Sequence, residues 1–127
     1  MTDRQIVSSG SPYEPVIGFS RAIRVGHRVL VSGTSPVWPD GSCDPDPAAQ
    51  ARRCWEIIIE ALDQCGAGPG DVVRTRTFLT HPADWEAVGL VQGEVMGAAR
   101  PAATMVVVAA LLDPRWKVEI EVEAVPG

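Results

Sequence analysis

The chain has 127 residues, 46% of them hydrophobic and 21% charged, which is the size and balance of a single globular domain spanning residues 1–127. Its formal charge of −5 excludes a general nucleic-acid binder, because such a protein needs a positive surface to displace counterions. No apolar run approaches the roughly 18 residues of a membrane span and none follows a basic start, so a cytoplasmic protein without a leader is expected.

In chain order, SSGSPYEPVIG (8–18), with two prolines and two glycines, predicts an irregular arm. SRAIRV (20–25) and RVLVSGT (28–34) predict two strands joined by a two-residue turn at Gly26-His27. WPDGSCDPDP (38–47) is a loop. Asp46-Pro47 has the form of a helix start, with a capping carboxylate before a proline in the first turn, and Gly66 provides the stop. Ala51, Cys54, Ile58, Ala61, Leu62 and Cys65 recur along that helix at core-facing spacing. Cys54 and Cys65 are thereby expected as buried thiols that act as small hydrophobes. With Cys43 they make an odd count without a CxxC pair, so reduced thiols and no disulfide framework are expected. His27 and His81, the only histidines, lie far apart, and no metal or other cofactor is expected.

DVVRTRTFLT (71–80) predicts the next strand, and His81-Pro82 opens a second helix running to about Met96. Its predicted inward stripe is Trp85, Val88, Gln92 and Val95. Gly89, Gly93 and Gly97 form a second row, explained either by close backbone packing on a sheet or by a pocket wall. ATMVVVAALL (103–112) and KVEIEVEAV (117–125) complete the strands. The last alternates, with Val118, Ile120, Val122 and Ala124 on one face and Glu119, Glu121 and Glu123 on the other. The order ββ-α-β-α-ββ predicts an α/β sandwich of one mixed sheet with both helices on one face. VLV (29–31) and MVVVAALL (105–112) are apolar on both faces, which would leave an apolar open face to be covered by self-association.

GFSRAIRVGHRVLVSGTSPV, DVVRTRTFLTHPADWEAVG and RPAATMVVVAALLDPRWKVEIEVEAV, in that order over about residues 4 to 125, resemble the Rid (YjgF) superfamily. The resemblance implies a chorismate-mutase-like sandwich assembled as a homotrimer, with ligand pockets in the clefts between subunits. It implies hydrolysis of reactive imines and enamines such as 2-aminoacrylate. Glu119 falls at the family's water-placing glutamate and Ser32 at its serine. Phe19 replaces the usual tyrosine, Gly89 the usual asparagine and Ala103 the arginine that clamps the substrate carboxylate. Losing one partner of a buried charge pair costs on the order of 2–5 kcal/mol, so efficient turnover of 2-aminoacrylate is not expected.

The expected pocket comprises Glu119 and Ser32 as catalytic groups. Phe19, Arg21, Arg76, Trp85, Gly89, Gln92, Ala103, Thr104 and Met105 are the expected substrate-binding positions. Arg21 and Arg76 either anchor an anion from a new direction or pair with acidic neighbours such as Glu121 and Glu123. Glu119 is either a functional acid or base, crowded by two like charges on its face, or one of three solvated glutamates. Two functions stay open: an enzyme acting on a small imine-like, enamine-like or carbonyl metabolite, and a trimeric ligand-binding or partner protein without chemistry. Neither calls for nucleic acid or membrane.

Overall fold

The structure, a computed structural model, describes residues 3–127. Its elements in order are β1 (Arg4–Val7), α1 (Tyr13–Ile17), β2 (Ala22–Val25), β3 (Arg28–Thr34), α2 (Pro47–Gln64), β4 (Val72–Leu79), α3 (Trp85–Met96), β5 (Ala102–Val107) and β6 (Val118–Ala124). The six strands form one sheet in the order β1-β2-β3-β6-β4-β5. Among the described residues only β4 and β5 run parallel; the other neighbours are antiparallel, so the sheet is mixed as expected.

The β2–β3 hairpin turns at Gly26, whose φ of 60° suits glycine. The Asp46 side chain accepts from Ala49 N at 3.2 Å at the start of α2, and Gly66, at φ 74°, follows its end. The predicted apolar face of α2 is buried, Cys54 and Cys65 included, and Trp55 joins it. This face packs on Val29, Val31, Val72, Leu79, Val118, Ile120, Val122 and Ala124, with Val88, Val91 and Met96 of α3 completing the core. Each aliphatic side chain fully buried here contributes about 1.5–3 kcal/mol. Among the described residues no helix is long and apolar enough to cross a membrane.

Four expectations need correction. Residues 8–18 are not wholly irregular, because α1 forms within them, and β1 adds an edge strand by pairing with β2. β5 stops at Val107, not 112: its one partner, β4, ends at Leu79, where His81-Pro82 begins a 3-10 turn, leaving later residues no ladder to join. Trp85, the first residue of α3, is 58% exposed and lies off the inward stripe, which is Val88, Val91 and Met96. The close-packing alternative for the glycine row is not met at Gly89 or Gly93, where a Cβ would meet nothing within 4 Å, whereas one on Gly97 would stand 2.7 Å from Gly93 O.

The face opposite the helices is also less apolar than expected. One row across it reads Ile6, Ile23, Leu30, Glu123, Arg74, Ala102. The next reads Glu121, Arg76, Thr104, and a third Glu119, Phe78, Val106. Apolar side chains are thus interleaved with charges, which include the pairs Arg28–Glu123 at 3.1 Å and Arg76–Glu121 at 3.9 Å. The negative crowding along β6 is thereby relieved at both of Glu119's like-charged neighbours.

Candidate functional site

Glu119 projects from β6 toward a point where β3 loses its regular register, between Val31 and Thr34. Its carboxylate lies over Gly33, so closely that a Cβ there would stand 2.6 Å from Oε2. Ser35 Oγ donates to Oε1 at 3.1 Å. Beneath this, Arg21 Nη1 donates to Gly33 O at 3.0 Å and to Thr34 Oγ1 at 3.2 Å. The guanidinium carbon stands 5.7 Å from the Phe19 ring centroid, within cation–π range. Arg21 Nε is buried with no hydrogen-bond partner among the described residues.

Burial pushes the Arg21 guanidinium below its ordinary value, and the negative charges of Glu14 and Glu119 push it back only in part. The group stays ionised at any physiological pH. Glu14, on α1, is 5% exposed and accepts hydrogen bonds from Ser9 N and Ser9 Oγ. Burial alone would raise its carboxyl, but Ser9, Ser8 and the Arg21 charge outweigh it, and the net shift is downward. Arg21 thus lies between two carboxylates, one from the arm and one from the candidate site. Cys54, behind the sheet on α2, has its thiol pushed well up by burial and then by the Glu119 charge. It is an inert core thiol.

Ser32 is half-buried, and its Oγ donates to Ser20 O at 2.6 Å. Its proton is committed to the backbone, leaving lone pairs as its free capacity. On the same open face a groove of about 360 Å³ is lined by residues that include Phe19, Ser20, Ile23, Ser32, Glu121 and Glu123.

The other predicted residues lie elsewhere. Gly89 and Gln92 are half-buried on α3, Ala103 and Thr104 are exposed on β5, and Met105 packs on the core. Two strands, β6 and β4, separate β3 from β5. Three strand spacings amount to about 14 Å. Within one chain, Arg21 lies beside Phe19 and Glu119, and Phe19 and Ser32 share the groove, while Ala103, Thr104 and Met105 lie on β5 and Trp85, Gly89 and Gln92 on α3. Arg76 belongs to neither group: it pairs with Glu121, the bland alternative raised from sequence. Arg21 does not pair with Glu121 or Glu123; backbone and hydroxyl acceptors hold its Nη1 instead.

Sequence reasoning missed Glu14, Gly33 and Ser35. The glycine of VSGT was the available signal, because an isolated glycine in a strand pattern often marks a bulge.

Comparison with known proteins adds the family. The family model named endoribonuclease L-PSP matches residues 10–126. An uncharacterized protein of Streptomyces coelicolor is 39% identical over 122 residues, covering 95% of this chain and 91% of that one. The 2-iminobutanoate/2-iminopropanoate deaminase of Escherichia coli is 31% identical over 111 residues, 84% of each chain. Among solved structures, a YjgF/YER057c/UK114 family member from Mycobacterium tuberculosis superposes with a TM-score of 0.89 at 43% identity, covering 97% of this chain and 99% of that one. The chain belongs to the YjgF/Rid family, the one that the endoribonuclease L-PSP model describes.

Proposed function

We propose that this protein is a Rid-type enzyme that acts on a reactive imine-like, enamine-like or carbonyl metabolite by water or proton transfer, in clefts between the subunits of a cytoplasmic homotrimer. The observation that carries the reading is Glu119, a half-buried carboxylate held in a defined place by Ser35 at the family's glutamate position. In the hydrolytic form, Glu119 takes a proton from water as its oxygen bonds to the imine carbon. Glu119 passes that proton to the nitrogen, a second comes from the new hydroxyl as its oxygen becomes the carbonyl, the C–N bond breaks, and ammonia and the carbonyl product leave. Ser32 supplies a lone pair beside the reacting atoms, and backbone amides of 103–105 steady developing charge. A proton transfer without water, in a cyclisation, dehydration or tautomerisation, uses the same carboxylate.

β5 lies two strand spacings, about 10 Å, from Glu119 on β6 and three, about 14 Å, from Ser32 on β3, and this separation supports a site completed by a second copy. One copy contributes Phe19, Arg21, Ser32 and Glu119; its neighbour contributes Trp85, Gly89, Gln92, Ala103, Thr104 and Met105. Arg21 and Arg76 are both engaged, and Ala103 offers no charge, so the favoured substrate is bulkier and carries no carboxylate next to its reacting carbon.

The test supplies two imine pools, one made by a dehydratase from serine or threonine and one by an amine oxidase from bulky apolar amines. Carbonyl release is followed with and without the protein. Acceleration confined to the bulky pool, abolished by Glu119→Gln, is expected; equal acceleration of 2-aminoacrylate would show that another group had replaced the clamp. A specific observation also favours a second reading: Phe19, Gly89 and Ala103 remove three polar groups from the family pocket. A non-catalytic ligand-binding trimer would bind across such a panel in thermal-shift assays and turn over nothing.

A further inference from the structure

We infer that Ser35 is a positioning residue for Glu119, and that Gly33 is a glycine because the Glu119 carboxylate occupies the space a side chain would need. The inference rests on the proposed role of Glu119 and concerns residues to which the sequence resemblance assigns no role.

A glutamate on a sheet face has three rotatable side-chain torsions, and an acid or base that must meet a water or a substrate proton needs one of the resulting positions held. Here both oxygens are placed. Oε1 accepts from Ser35 Oγ at 3.1 Å, and an ionised carboxylate can only accept, so the hydroxyl proton points at it. Oε2 sits 2.6 Å from the point a residue-33 Cβ would occupy and the carboxyl carbon 3.2 Å, both inside van der Waals contact. Any other residue at 33 forces the carboxylate aside. Because the obstructed group is the end of a flexible side chain, the fold itself tolerates the change.

The mount is in turn fixed. Arg21 ties Gly33 O and Thr34 Oγ1 together and brings positive charge beside the carboxylate, and Glu14 faces Arg21 from the arm. Ser32, the serine that the family resemblance favoured, spends its proton on Ser20 O and does not reach Glu119 with a donor. Ser35 is the hydroxyl that does.

The experiment compares Ser35→Ala, Ser35→Thr, Gly33→Ala and Glu119→Gln on imines generated by an oxidase. A catalytic group displaced by about 1 Å loses on the order of a hundred-fold in rate, so Gly33→Ala should approach Glu119→Gln. Ser35→Ala should lower kcat by roughly ten-fold with KM unchanged, and Ser35→Thr, which keeps the hydroxyl, should restore it to within about three-fold. Wild-type kcat in Ser35→Ala and Gly33→Ala, beside a dead Glu119→Gln, overturns the inference and leaves the proposed function standing. Full activity of Glu119→Gln sinks the proposed role of that residue instead. Crystal structures read the geometry without turnover. A Glu119 carboxylate swung off residue 33 in Gly33→Ala supports the inference, and one that stays over it, bonded to Ser35, overturns it.

Discussion

Arg21→Met separates two roles for one side chain. The sequence allowed Arg21 to be a substrate anchor; the structure ties it to Gly33 O at 3.0 Å and Thr34 Oγ1 at 3.2 Å, with Glu14 and Glu119 nearby. Methionine keeps the stem and removes the guanidinium. Hydrogen bonds from a charged donor contribute about 1.5–3 kcal/mol each when buried. One nitrogen serves both acceptors and the residue is only half-buried, so we expect a total loss of about 2–4 kcal/mol. At roughly 3–5 °C per kcal/mol for a domain of this size, the melting temperature should fall by about 6–20 °C.

The same variant carries a pH signature. Glu14 lies below the ordinary glutamate value, so its contribution to stability is complete above about pH 4.5 and is lost as pH falls through its lowered native value. Without Arg21 one of the lowering influences is gone while burial still pushes the carboxyl up, so the Glu14 contribution should be smaller and its loss should be complete at a higher pH than in the wild type. Circular dichroism melts between pH 3.5 and 7, at two protein concentrations because association shifts apparent stability, measure both effects. A variant that melts within 2 °C of wild type at every pH would refute the pinning role and return Arg21 to the list of free anchors.

Three further outcomes are expected. Gln50 is fully buried and joins Asp44 O at 2.8 Å, Arg115 O at 2.9 Å and Lys117 N at 2.7 Å, so Gln50→Ala should cost about 3–5 kcal/mol in urea unfolding. Arg100 precedes a proline with φ at 47°, a conformation costing a side-chain-bearing residue about 1–2 kcal/mol, so Arg100→Gly should raise stability by roughly 1 kcal/mol in the same assay. Ala103 is exposed, so Ala103→Arg should fold normally and raise 2-aminoacrylate hydrolysis in a dehydratase-coupled assay; it should stay below an arginine-bearing relative because Phe19 and Gly89 also differ.

The fold was legible where one physical signal dominated. The period of α2 placed Ala51, Cys54, Ile58, Ala61 and Leu62 inside, and its cap at Asp46 and stop at Gly66 lie where the sequence puts them. The alternation of β6 likewise separated Val118, Ile120 and Val122 from Glu119, Glu121 and Glu123. Legibility failed where a partner decides the outcome. β1 is four residues, three of them exposed, and becomes a strand only because β2 offers an edge. The apolar run through Leu112 looks like strand throughout, yet ladder bonds end with β4.

The candidate site shows the same limit at finer grain. Val29 and Val31 are buried on β3, so unbroken alternation would bury residue 33, turn Thr34 toward Glu119 and point Ser35 away from it. Thr34 is in fact fully buried, because the register shifts between Val31 and Thr34. A one-residue shift exchanges the faces of everything beyond it. That exchange delivers Ser35 to the Glu119 carboxylate and leaves Gly33 beneath it. The alternation that correctly placed Glu119 on β6 therefore misplaces its partners on β3, and the one sequence mark of the break is the glycine itself. Arg21 then acquires its role from the same break, since the carbonyl and hydroxyl it binds belong to the shifted residues. The residue types were all visible in SRAIRV and VSGTS; the irregular register decides which of them touch.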